Sequence, residues 1–124
     1  MDPSQLNWLS TADAARAIRD GSISSEELVE ACLARIREID GAVQAWAFLD
    51  PEHALKQARD LDERRREGRA MGPLHGVPVG IKELDGVEGW PHTEASLVFK
   101  DRKSAHTQTW LERLMAAGAN PVGQ

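Results

Sequence analysis

Lys82 is the residue best placed to do chemistry, because it closes the run Gly72-Pro-Leu-His-Gly-Val-Pro-Val-Gly-Ile-Lys82 and is followed at once by Glu83. A lysine amine is protonated at neutral pH. One that takes a proton must have its charged form disfavoured by about 4–5 kcal/mol, through desolvation or a donated hydrogen bond. Such a base therefore needs a closed pocket. The plainer alternative is a strand-end lysine whose stem is buried while its ammonium reaches water or pairs with Glu83 or Asp85. The remaining chemistry-bearing residues are sparse. His53, His75, His92 and His106 are scattered without ligand spacing, so neither a metal nor another cofactor is expected, although His92 and Thr93 lie in a loop suited to substrate contact.

The run itself reads as a short buried strand entered through a turn at Gly72-Pro73. Pro73 and Pro78 each lack an N–H, so the strand must lie at an edge or begin irregularly. Gly76 and Gly80 leave room for close approach by backbone or ligand. Val77, Val79 and Ile81 alternate, which turns Lys82 to the opposite face.

These residues carry a resemblance. The stretch Gly72 to Lys82, with Gly86-Val-Glu-Gly-Trp-Pro91 and Thr93 to Ser96 after it, resembles the amidase signature family, and Leu9-Ser-Thr-Ala-Asp-Ala-Ala and Ser24-Ser-Glu-Glu-Leu-Val are similar to that family's N-terminal region. The resemblance implies a Ser-cisSer-Lys hydrolase of carboxamides, in which the lysine passes a proton through a bridging serine to a nucleophilic serine that forms an acyl-enzyme. Residue by residue, Lys82 takes the lysine's place. Both serines and the oxyanion donors belong to a Gly/Ser-rich segment downstream, which these residues do not contain. Ser96 and Ser104 sit in no glycine-rich turn and are not candidates. The chain departs from the family at two places: the usual Ile-Lys-Asp reads Ile81-Lys82-Glu83, and the usual Ala-Gly-Ser reads Glu94-Ala95-Ser96. A glycine replaced by Ala95 disfavours any positive φ required there.

The elements that must position Lys82 are mostly helical. Met1 to Trp8 is a polar arm expected to lie on the body through Leu6 and Trp8. A first helix starts at Ser10, with Asp13 in an approximate capping box, and stops at Gly21; its stripe of Ala14, Ala17 and Ile18 is thin and implies a surface position. Ser24 and Glu27 form a capping box for a second helix, ended by Asp40-Gly41, with Leu28, Val29, Cys32, Leu33, Ile36 and Ile39 on one face. Val43 to Leu49 reads as a strand. Asp50-Pro51 opens a third helix running to about Gly68, with Ala54, Leu55, Ala58 and Leu61 inward. Strand, helix and strand make a crossover unit, which puts Lys82 at a strand's carboxyl end. Leu84 to Lys103 reads as a long loop. A last helix spans about Ser104 to Ala117, with Trp110, Leu111, Leu114 and Met115 as core and Gly118 as stop, and Ala119 to Val122 starts a further strand.

The expected fold class is α/β: the N-terminal portion of an amidase-signature fold, helices on a mixed β-sheet, incomplete in 124 residues. Residues 1–41 form a helical layer and 42–124 begin the α/β core of one domain. The formal net charge of −5, with the basic cluster Arg64-Arg-Arg66 flanked by Glu63 and Glu67, argues against a nucleic-acid surface. No run of about 18 apolar residues is present, so no membrane span is expected. The single cysteine, Cys32, allows no internal disulfide and suits a small core residue in the cytoplasm. The implied function is amide hydrolysis with a small-molecule amide substrate and Lys82 as the one catalytic member present. The alternative is a non-catalytic amidase-like module acting in binding or oligomerisation, with the face Leu28, Cys32, Leu33 and Ile36 of the N-terminal helices covered by a second copy.

Overall fold

A computed structural model describes all residues 1–124. Five helices and two strands follow in the order α1 (Pro3–Leu6), α2 (Thr11–Asp20), α3 (Ser25–Val43), α4 (Pro51–Arg66), β1 (Pro78–Gly80), α5 (Thr109–Ala116) and β2 (Asn120–Gly123). The strands pair in parallel, Pro78 opposite Asn120 and Val79 opposite Pro121, with a register irregularity between Val79 and Gly80. Pro78 is the first residue of an edge strand, where its missing N–H breaks no ladder. The fold is thus helices on a small parallel sheet, to which Leu49 adds one antiparallel bridge at Gly123.

Local chemistry accounts for the helices. Ser10 accepts from the Asp13 N–H (3.1 Å), and Gly21 ends α2 at φ +77°, which a Cβ would oppose. At α3 both halves of the capping box form: Ser24 Oγ accepts from the Glu27 N–H (3.0 Å) and Glu27 Oε2 from the Ser24 N–H (2.7 Å). Asp50 caps α4, with Pro51 as its first residue.

Three apolar clusters hold these pieces. Leu6, Ala14, Ala15, Ile18, Ile23, Leu28 and Val77 join α1, α2 and α3 to the approach to β1. Val29, Leu33, Ala54, Ala58 and Val122 join α3 and α4 to β2. Ile81, Val87 and Leu111 join the end of β1 to α5. The stripe of α3, for which the first helix, the sheet or another subunit could each supply the partner surface, is covered within the chain. Leu28 and Leu33 are buried, and Cys32 and Ile36 pack beside them.

Several expectations are corrected. The segment Val43 to Leu49 is no strand. Gly41 does not stop α3, which continues to Val43 before Gln44 turns left-handed at φ 54°. The next residues fold around the tip of β2 instead of forming a ladder: the Ala47 and Phe48 N–H groups both donate to the Gln124 carbonyl (2.7 and 3.0 Å). The parallel crossover is accordingly β1–α5–β2, not strand, α4 and β1. The first helix lies at the surface as expected, but its buried stripe is Ala14, Ala15 and Ile18, with Ala17 only half-buried. Leu6 is buried in a short helix, but Trp8 is 75% exposed and does not anchor the arm. The last helix begins at Thr109, because the Ser104 and Gln108 N–H groups donate to the distant carbonyls of Trp90 and Gly86 (both 3.0 Å). On it Leu111 is buried, while Trp110 and Met115 are 43% and 46% exposed and are not core.

Candidate active site at the end of strand β1

A knot of buried polar groups, none of it anticipated from sequence, sets the position of β1. The capping box leaves the first two N–H groups of α3 without partners. Asp62 of α4, 2% exposed, supplies them: its carboxylate accepts from Ser25 N–H (2.7 Å) and Glu26 N–H (3.0 Å). A carboxylate at a helix N-terminus also meets the positive end of the helix dipole. Ser25 Oγ in turn donates to the Gly76 carbonyl (2.6 Å), and His75 Nε2 lies 2.8 Å from the Leu61 carbonyl. The turn before β1 is thereby tied to both α3 and α4. The spacing Ala54, Ala58, Asp62 puts Asp62 on the inward face at successive fours, which is the signal that could have revealed it.

The two glycines singled out in the strand run are close approaches to protein, not to ligand. A Cβ on Gly76 (φ +80°) would lie 2.9 Å from Ser25 Cβ, and one on Gly80 would lie 2.8 Å from the Trp46 indole.

Lys82 follows β1 by two residues. Ile81 beneath it is buried against Leu111, its N–H donating to the Gly123 carbonyl (2.9 Å), and the Lys82 carbonyl accepts from Asp85 N–H (2.9 Å) in a tight turn. The Lys82 side chain is exposed and pairs with neither Glu83 nor Asp85. The closed surroundings that a basic lysine needs are not supplied by these 124 residues.

Glu83 is engaged differently. Its carboxylate accepts from the backbone N–H of Thr93, ten residues on. Partial burial raises the Glu83 pKa, but hydrogen bonds from Thr93 and from the backbone N–H groups of Glu94 and Ala95 outweigh it and hold the carboxyl below its ordinary value. Glu94 and Ala95 are both left-handed, at φ 52° and 55°. Each such non-glycine residue costs on the order of 1 kcal/mol, and successive N–H groups turned inward make an anion-binding concavity. Ala95 thus takes up the positive φ that its side chain disfavours.

The segment Leu84 to Lys103 is an ordered excursion. Pro91 and Lys103 form an antiparallel bridge, and the Arg102 guanidinium donates through Nε to the His92 carbonyl (2.6 Å) and sits 4.2 Å over the Phe99 ring. His92 Nε2 lies 3.1 Å from the Leu84 carbonyl. Arg102 Nη2 is 3.4 Å from Glu94, near enough for an ion pair but too poorly aimed for a hydrogen bond. Ser96 Oγ accepts from Val98 N–H (3.2 Å) and Ser104 Oγ donates to the His106 carbonyl (2.6 Å), so neither hydroxyl is hydrogen-bonded to an imidazole or an amine. No group of three or more His, Cys, Asp or Glu side chains is placed to hold a metal ion. No helix is long and apolar enough to cross a membrane. A cavity of about 870 Å³ between α1 and α3 is lined by Leu6, Trp8, Ile23 and Glu27 among others and includes no residue of the strand end.

Comparison with known proteins gives this geometry a context. A family model described as Amidase matches residues 27–124. The A subunit of glutamyl-tRNA(Gln) amidotransferase from Chloroflexus aurantiacus is 41% identical over 120 residues, which are 97% of this chain and 25% of that protein. The corresponding subunit from Thermobifida fusca is 38% identical, over 97% of this chain and 24% of its own length. Among solved structures, the native peptide amidase of Stenotrophomonas maltophilia superposes with a TM-score of 0.88 at 30% identity, covering 98% of this chain and 25% of that one. Fatty acid amide hydrolase shares the fold, with a TM-score of 0.92 at 22% identity, over 99% of this chain and 22% of its own. The chain therefore spans about a quarter of the length of the curated relatives it matches.

Proposed function

Since this chain belongs to the amidase signature family, we propose that it contributes the proton-transfer lysine, Lys82, of a hydrolase that splits a carboxamide through an acyl-serine. The supporting observation is that Lys82 closes the Gly72–Lys82 run at the carboxyl end of β1, inside the matched residues 27–124. In the proposed reaction neutral Lys82 Nζ takes a proton from a bridging serine hydroxyl. That serine takes the proton of the nucleophilic serine, whose oxygen attacks the amide carbonyl. The leaving nitrogen departs with a proton, and water releases the carboxylate from the acyl-serine. Both serines lie outside these 124 residues. The likeness to an amidotransferase favours a primary carboxamide, so that the nitrogen leaves as ammonia, and the compartment proposed is the cytoplasm.

One observation favours the second reading, a non-catalytic amidase-like module acting by binding or assembly: Lys82 is exposed and unpaired in the chain itself. Ammonia release from a panel of primary carboxamides, by the protein as its source produces it, separates the two. Amide hydrolysis that falls at least about 100-fold in Lys82→Ala supports the first reading. Hydrolysis unaltered by Lys82→Ala, or none in the unsubstituted protein, supports the second.

A further inference from the structure

Glu83 and the turn it holds are assigned no role by the proposed reaction, yet they are the most constrained feature beside Lys82. The Glu83 carboxylate bridges ten residues of chain to meet the Thr93 N–H. The turn it meets carries two consecutive non-glycine residues at positive φ, Glu94 and Ala95. Left-handed conformations of this kind persist only where the surroundings over-determine them. Other restraints on the turn are the Thr93 carbonyl, which accepts from Ser96 N–H at 2.9 Å, and the Glu94 carboxylate, which lies 3.4 Å from Arg102 and 3.7 Å from His92. The Glu83 carboxylate, accepting from the Thr93 N–H, adds a restraint from the residue covalently next to Lys82.

We infer that Glu83 is the positioning residue of the lysine site: its carboxylate, hydrogen-bonded to the Thr93 N–H, locks the left-handed turn of the loop to the main chain at Lys82. The consequence for chemistry rests on the reading of Lys82 as a proton carrier. Anchoring Glu83 on one side, and Ile81 in the core on the other, leaves the lysine main chain no freedom to drift. Only the four-carbon stem then moves, which keeps the amine within a small volume at the strand end.

The lock has a pH dependence whose sign follows from the depressed Glu83 carboxyl. The stabilisation is fully present above the ordinary carboxylate range and is lost as pH falls through the lower value in the folded protein. The charged and titratable groups that meet this turn are His92, Glu94 and Arg102 of the loop, with Lys82 and Asp85 on the same segment as Glu83. Glu94, 3.4 Å from Arg102 and 3.7 Å from His92, is the other carboxylate on the turn and serves as the control.

Amide hydrogen exchange read by NMR tests the inference on the full chain, with the Leu111 amide as a reference for global folding. At pH 7 the protection of Thr93, Glu94 and Ala95 is expected to fall about tenfold or more in Glu83→Gln and in Glu83→Ala, while Leu111 is unchanged. Acidification is expected to loosen the same three amides in the unsubstituted protein and in Glu94→Gln, but to have no such effect in Glu83→Gln. In Glu83→Ala, adding Ala95→Gly is expected to restore part of the protection, since glycine adopts the positive φ unaided. Unchanged protection in Glu83→Ala, or an acid response abolished by Glu94→Gln instead, overturns the inference. Where amide hydrolysis is measurable, Glu83→Gln should lower kcat while leaving KM in place. A loop that loosens with no hydrolysis in any variant leaves the lock standing and removes the amidase reading. Hydrolysis that needs Lys82 but is indifferent to Glu83→Gln does the reverse.

Discussion

Replacing Asp62 by alanine tests how the helical layer holds the strand that carries Lys82. The carboxylate is 2% exposed and its two oxygens accept from Ser25 and Glu26 N–H at 2.7 and 3.0 Å, while Ser25 itself is fully buried. A hydrogen bond to a charged group is worth about 1.5–3 kcal/mol net, and the interaction of a buried charge with a helix N-terminus adds about 1 kcal/mol. Water entering the space left by the side chain returns part of this, so a loss of about 3–4 kcal/mol is expected from a total on the order of 10 kcal/mol for a chain of this size. Asp62→Asn keeps one acceptor oxygen and should lose about half as much. Urea unfolding followed by circular dichroism reads this directly. With a slope of about 1.5–2 kcal/mol per molar, the midpoint should fall by about 2 M in Asp62→Ala at unchanged slope. A midpoint within about 0.3 M of the unsubstituted protein refutes the reasoning, because the two N–H groups would then be equally well satisfied without the carboxylate.

Other perturbations probe the remaining supports. Leu111→Ala removes a fully buried side chain packed on Ile81 and Val87 and should cost about 3 kcal/mol in the same assay. Gly76→Ala places a Cβ 2.9 Å from Ser25 Cβ at a φ of +80°; at about 2 kcal/mol or more, it should lower the thermal midpoint by several degrees. Burial pushes the Cys32 thiol pKa up, so its alkylation by iodoacetamide at pH 8 should run at least about tenfold slower than that of a free thiol and become ordinary in urea.

Much of this architecture is legible in the residue pattern where the determinant is local. The Ser24/Glu27 capping box, the Asp50-Pro51 start of α4, the left-handed stop at Gly21 and the irregular edge strand at Pro78 all follow from one residue's own backbone chemistry. The failures share a different cause. Val43 to Leu49 has the composition of a strand, yet the Gln44, Ala45 and Trp46 N–H groups are taken by Asp40 and those of Ala47 and Phe48 by the carbonyl of Gln124, far along the chain. Asp62 reads as part of a charged helix face until the N-terminus of α3 is brought against it. Trp110 and Met115 have the right period for a core, but this chain covers only the Leu111 side of α5. At the candidate site, Lys82 and the departures at Glu83 and Ala95 could be picked out from sequence. That the two departures meet, the carboxylate of one facing the strained turn of the other, depends on a ten-residue excursion whose path sequence spacing does not reveal.

Lys82, in the proposed reaction, acts by giving up and taking a proton, not by its charge. Lys82→Arg isolates that property, since arginine keeps a long cationic side chain but does not deprotonate in proteins. Ammonia release from a primary carboxamide by the protein as its source makes it, compared between lysine and arginine at position 82, is the measurement. A fall of at least about 100-fold in kcat is expected for Lys82→Arg, as large as that for Lys82→Ala. Release by Lys82→Arg within about threefold of the unsubstituted protein contradicts the proton-transfer role, because a fixed positive charge would then suffice.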